Sequence, residues 1–196
     1  MIKMSALKFA FSLLLLTTLL SCKQPVHWNA GDVAGAMPDL EFTLTGPDGG
    51  TVDSESLRGK PVLLFFGFTN CPHVCPTTLA RLAVLMKKLG PDAEDLQVVF
   101  VTVDPARDTP EAMKRYTAAF GPWLLGLSGD PQELKRLRES YGVYAAMESS
   151  DDKGNYNVMH TTVVFAFDAD GKVRLLLSDL DDADAVVADL KQLINL

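Results

Sequence analysis

Cys71 and Cys75 stand four residues apart in Phe68-Thr69-Asn70-Cys71-Pro72-His73-Val74-Cys75-Pro76, and paired thiols at this spacing have three chemistries open to them. They can close a disulfide, because residues so near in sequence reach the roughly 4.4–6.8 Å between α-carbons that the bond requires. They can cycle as a redox couple, or they can converge as thiolates on one soft metal ion. Redox dithiols more often have two residues between the cysteines; here three intervene. A purely structural bridge is the weakest of these readings, since so small a loop restricts the unfolded chain little. His160, in Asn157-Val158-Met159-His160-Thr161, offers a third donor. Two thiolates and one neutral imidazole suit Cu(I), which accepts few and soft ligands.

The elements around these residues must bring them together. Residues 62–66 are a continuous apolar run, the pattern of a strand buried on both faces. The cysteine motif follows directly, at the carboxyl end of that strand, where open α/β sheets bind ligands. Leu79, Leu82, Ala83, Leu85 and Met86 then mark one face of a helix. Pro76 suits the first helical position and biases Cys75 away from helical angles, so residues 71–75 read as a turn leading into the helix. Cys75 would then lie near a helix N-terminus, whose dipole favours thiolate.

Residues 98–103 form a second buried strand ending at Asp104. Thr109-Pro110-Glu111 and Asp130-Pro131 each open a helix with a cap and an N1 proline. Residues 162–167 are a third strand, Asp168-Ala169-Asp170-Gly171 a hairpin turn and residues 172–177 a fourth strand. The acidic residues 179–184 start a terminal helix. Upstream, Leu40, Phe42 and Leu44 alternate as in a half-buried strand. This order predicts an α/β, thioredoxin-like fold: a mixed central sheet with helices on both faces. His160 then precedes the third strand and faces the cysteines, where thioredoxin-like redox proteins usually carry a cis-proline. An imidazole in that place favours the metal reading.

Neighbouring polar residues carry weaker signals. Asp104 either orients a ligand or caps its loop through backbone amides. Arg107 and Asp108 read as builders of the loop before the next helix. His73 reads as solvent-facing; Met159 reads as core, with thioether ligation the alternative. A peroxidase would need an arginine beside its reactive cysteine, and none lies between Gly59 and Leu79.

The first 21 of the 196 residues read as an export signal. Lys3 and Lys8 precede an uncharged run over residues 9–20, shorter than the roughly 20 residues of a membrane span. The run ends in Leu19-Leu20-Ser21-Cys22, which resembles a bacterial lipobox, with Leu20 where a smaller residue is usual. In a lipobox the cysteine, here Cys22, is lipidated and becomes the new N-terminus; the alternatives are an ordinary signal peptide or an uncleaved anchor. Residues 22–37 lack periodicity and read as a tether, with the folded domain over residues 38–196. Two of the 18 basic residues precede Cys22 and none of the 25 acidic ones do, so the chain beyond the signal carries a formal charge of −9. Such a surface argues against nucleic acid as a partner.

The chain resembles the Sco/SenC family of copper chaperones for cytochrome c oxidase. The resemblance runs from Pro38 to the C-terminal helix. It rests on Thr69-Asn70-Cys71-Pro72-His73-Val74-Cys75-Pro76, on Val103-Asp104-Pro105-Ala106-Arg107-Asp108-Thr109-Pro110 and on Met159-His160-Thr161. It implies that Cys71, Cys75 and His160 are copper ligands and that Asp104 is an acid close to their site. It also implies a membrane-tethered protein facing the periplasm or extracytoplasmic space, which delivers copper to the copper-site subunit of the oxidase. A lipid anchor at Cys22 would stand where many members have a transmembrane helix, a departure that does not touch the site. The family resemblance equally permits a thiol–disulfide oxidoreductase that reduces the acceptor's cysteines.

Overall fold

A computed structural model of the chain describes residues 26–148 and 156–196. The export signal and Cys22 lie outside the described residues. The strands are β1 (Gly31–Asp32), β2 (Thr43–Thr45), β3 (Thr51–Asp53), β4 (Val62–Gly67), β5 (Gln97–Thr102), β6 (Leu124–Leu127), β7 (Ala145–Met147), β8 (Val158–His160), β9 (Val164–Phe167) and β10 (Val173–Leu177). The helices are α1 (Val74–Leu89), α2 (Pro110–Ala118), α3 (Pro131–Ser140) and α4 (Ala183–Ile194). Six strands form one sheet in the order β1-β10-β9-β4-β5-β6. β4, β5 and β6 run parallel, whereas β9 is antiparallel to β4 and β10 to β9. This is the mixed, thioredoxin-like arrangement expected.

Strand periodicity divides the apolar runs between two cores. Leu63 and Phe65 of β4, Val98 and Phe100 of β5, and Val164 and Ala166 of β9 face one side, with the buried residues of α1, α2 and α4. Leu64 and Phe66, Val99 and Val101, and Phe165 and Phe167 face the other, with Leu134 and Leu137 of α3 and with Leu40 and Phe42. β4 is central and buried along its whole length, so the loop leaving it is positioned by rigid structure.

Capping sets the helix starts. Thr109 accepts from the Ala112 amide at 3.3 Å, Asp130 from Gln132 at 2.9 Å and Asp182 from Ala185 at 3.1 Å. α1 differs, because its N-cap residue His73 makes no side-chain cap. The helix nonetheless begins at Val74 and contains Cys75 in its first turn, rather than starting at Pro76. A proline there costs little, since the amide hydrogen it lacks would have no partner within the helix.

Three further departures are physical in origin. β6, with Gly126 inside it, and the short β7–β8 ribbon give no apolar alternation to read. Residues 28–37 are not a free tether, so the folded part begins near Trp28. Trp28 and Ala30 pack against the first core, and β1 pairs with β10. The buried Asp189 carboxylate of α4 accepts from the Asn29 amide at 3.0 Å and the Ala30 amide at 2.8 Å. Docking through backbone amides leaves no hydrophobic period in the sequence. The third departure, at Met159, belongs with the site below.

Candidate metal centre

The loop from β4 to α1 carries the thiols to the sheet's carboxyl edge. Cys71 is half-buried and Cys75 fully buried. The Cys75 amide, at the unfilled start of α1, points at Cys71 Sγ from 3.4 Å, so this sulfur occupies the place of a capping acceptor. Gly67 makes room for Cys75. A Cβ there would lie 2.6 Å from the Phe100 ring and 2.8 Å from Cys75 Sγ.

His160 arrives on β8, which pairs with β7. Its Nδ1 lies 3.0 Å from the Thr161 carbonyl, the geometry of an N–H donor, which leaves the Nε2 lone pair free. Nε2 is 3.4 Å from Cys75 Sγ. The ring stands edge-on to Phe68, with centroids 5.8 Å apart, and is tilted against Phe65 at 6.4 Å. One donor atom from each of Cys71, Cys75 and His160 lies within 4.8 Å of the others.

Burial dominates the electrostatics. It pushes the Cys75 thiol well up from its ordinary value and holds His160 below its own. The helix-dipole argument for Cys75 is thus outweighed by desolvation, and without metal this sulfur is a thiol. A thiol and a neutral imidazole at these largely buried positions avoid the cost of isolated charge; a soft cation supplies the charge that stabilises thiolate.

Asp104 is buried and does not belong to the three-donor cluster. Its carboxylate pairs with Arg107 Nε and accepts from the Tyr156 hydroxyl at 2.8 Å, while its amide donates to Thr102 Oγ1 at 2.9 Å. Asp108 is also buried, and accepts from the Thr69 amide at 3.1 Å and from the Thr69 and Thr102 hydroxyls at 2.6 Å. His73 is exposed and outside the cluster. Met159 is 57% exposed, contrary to the expected core position, because it alternates with the inward-facing Val158 and His160. Gly67, Phe68 and Tyr156 matter to the site through contact alone, and no motif chemistry marks them.

The SCO1/SenC family model matches residues 34–195. The chain belongs to the SCO1/SenC family. An SCO2-like protein of Rickettsia conorii is 38% identical over 133 residues, which cover 67% of this chain and 65% of that protein. The mitochondrial SCO2 homologue of Bos taurus is also 38% identical over 133 residues, 67% of this chain and 50% of that protein. The chain therefore spans less than two thirds of the length of these SCO relatives. Among solved structures, Bradyrhizobium japonicum ScoI with copper bound is 41% identical, with a TM-score of 0.73 over 79% of this chain and 98% of that one. BsSco is described as a member of the Sco family of cytochrome c oxidase assembly proteins with a disulfide switch. It is 26% identical, with a TM-score of 0.64 over 88% of this chain and 99% of that one.

Proposed function

We propose that the chain is a membrane-tethered copper chaperone that carries copper on Cys71, Cys75 and His160 and passes it to the dinuclear copper site of a cytochrome c oxidase subunit. The observation that carries this reading is the convergence of two sulfurs and an imidazole nitrogen within 4.8 Å. That donor set fits a soft, monovalent copper ion. A copper-bound Sco structure at 41% identity supports the same reading.

Loading requires each thiol to release a proton as its sulfur takes the metal. Cys71 and His160 are partly exposed, whereas Cys75 is buried. An incoming acceptor thiolate therefore displaces the outer pair first and Cys75 last. Metal analysis of the reduced domain, residues 23–196, tests the reading. About one copper per chain is expected, and Cys71→Ala or Cys75→Ala should abolish tight binding. Stoichiometric copper in both variants would overturn the assignment.

A second reading, a thiol–disulfide oxidoreductase, is favoured by the same closeness of the two sulfurs and by the disulfide switch described for BsSco. His160→Ala separates the two. It removes a metal ligand but leaves thiolate exchange its two sulfurs. A chaperone should lose copper affinity by tenfold or more and fail to support oxidase assembly in cells. Normal oxidase with weakened copper binding would favour the reductase. The lipid anchor at Cys22 and the extracytoplasmic, periplasmic location belong to this proposal.

A further inference from the structure

β8 carries His160 but is not part of the six-stranded sheet; its ladder partner is β7. The main-sheet hydrogen bonds therefore do not fix where the imidazole sits over the cysteines. Tyr156, just before β8, is held strongly. Arg107 Nη1 donates to the Tyr156 carbonyl at 2.9 Å, and the guanidinium carbon lies 3.6 Å from the centroid of the Tyr156 ring. The Tyr156 hydroxyl donates to Asp104, the same buried carboxylate that holds Arg107 Nε. Asp104 is in turn tied to the end of β5 through Thr102. Arg107 also lies 5.8 Å from the centroid of Phe68, the ring against which His160 stands edge-on. The start of the histidine strand and the floor beneath the histidine thus meet at one side chain.

We infer that Arg107 is a positioning residue for His160, locking the β8 strand over Cys71 and Cys75 through Tyr156 and Phe68. The role needs a planar cation that stacks and donates from several nitrogens at once; lysine cannot supply it. Tyr156 and His160 are four residues apart, about 13 Å along a strand, so movement at one is carried to the other. The inference rests on the copper reading only for its affinity readout.

Two measurements on the reduced, copper-free domain and one on the copper-loaded form test it. Nitrogen-15 NMR should show the wild-type His160 as a single Nδ1–H tautomer, and hydrogen exchange should show a protected Thr161 amide, which donates to the Tyr144 carbonyl. Arg107→Ala and Arg107→Lys should both average the tautomer signal and speed that exchange. Tyr156→Leu should behave alike, while Tyr156→Phe, which keeps the ring, should stay near wild type. Competition with a Cu(I) chelator should show a loss of about tenfold to a hundredfold for Arg107→Ala, the usual range for groups that orient a ligand. The same substitution in a His160→Ala background should cost little more. If Arg107→Ala fails to fold, Tyr156→Leu decides, because it leaves the Asp104–Arg107 pair intact. An unchanged tautomer and exchange rate, or an affinity loss fully additive with His160→Ala, overturns the inference. If the wild type binds no copper, the chaperone reading fails, and the His160 signals still decide the role of Arg107.

Discussion

Gly67 shows how a residue without chemistry shapes a reactive one. The Cβ of Gly67→Ala would press on both Cys75 Sγ and the Phe100 ring. Both neighbours are fully buried and have no room to yield. The substitution should destabilise the domain by about 1–3 kcal/mol, as overpacking does, and should reduce copper stoichiometry by displacing Cys75. Denaturant unfolding and metal analysis of the same sample check both effects; full stability with one copper bound would refute the account. Cys71, Cys75 and His160 could be read as candidate donors from sequence because thiols and imidazoles are few and chemically distinctive. Gly67 could not, because its importance is the space beside it. Arg107 stood inside a visible motif, yet its partner Tyr156 lies 49 residues away and only the fold joins them.

Among the elements, the long ones were legible and the short ones were not. β4, β5 and β9 announce themselves as apolar runs, and α2 and α3 by cap and proline. The β7–β8 ribbon is too short for a period, although it carries His160. Asp108 links the two well-marked strands near the site, since it accepts from Thr69 after β4 and from Thr102 at the end of β5. Burial raises its pKa above the ordinary carboxylate value despite these hydrogen bonds. The folded state therefore holds this proton over a window where the unfolded chain has lost it. Stability from that source is complete below the unfolded pKa, near 4, and declines as pH rises through the folded value. The wild-type advantage over Asp108→Asn should accordingly shrink between pH 4 and pH 7 in chemical unfolding. A constant difference across that range would show that Asp108 does not titrate as its burial dictates.

For the whole molecule, the mixed central sheet with helices on both faces follows from the sequence, whereas its edge strands β1 and β6 and the start of the folded part do not. The segment after Val26 is held by Asp189 and by β1, features with no hydrophobic signature. Anchoring is tested upstream of it. Cys22→Ser should abolish fatty-acid labelling and yield released protein or an uncleaved precursor; unchanged labelling would refute lipidation at that cysteine.

The docked N-terminal segment also fixes a direction. The His27 carbonyl accepts from Gln192 near the end of α4, and the adjacent Lys191 reaches Asp92, just beyond the end of α1. α1 starts beside the cysteines and runs 16 residues, about 24 Å, toward that end. The five residue-to-residue steps from Cys22 to His27 extend at most about 18 Å. With acyl chains on Cys22, the domain would be moored on a short line by its base, at the pole opposite the thiols. The copper-carrying mouth would then open away from the bilayer, and an acceptor would have to meet it there.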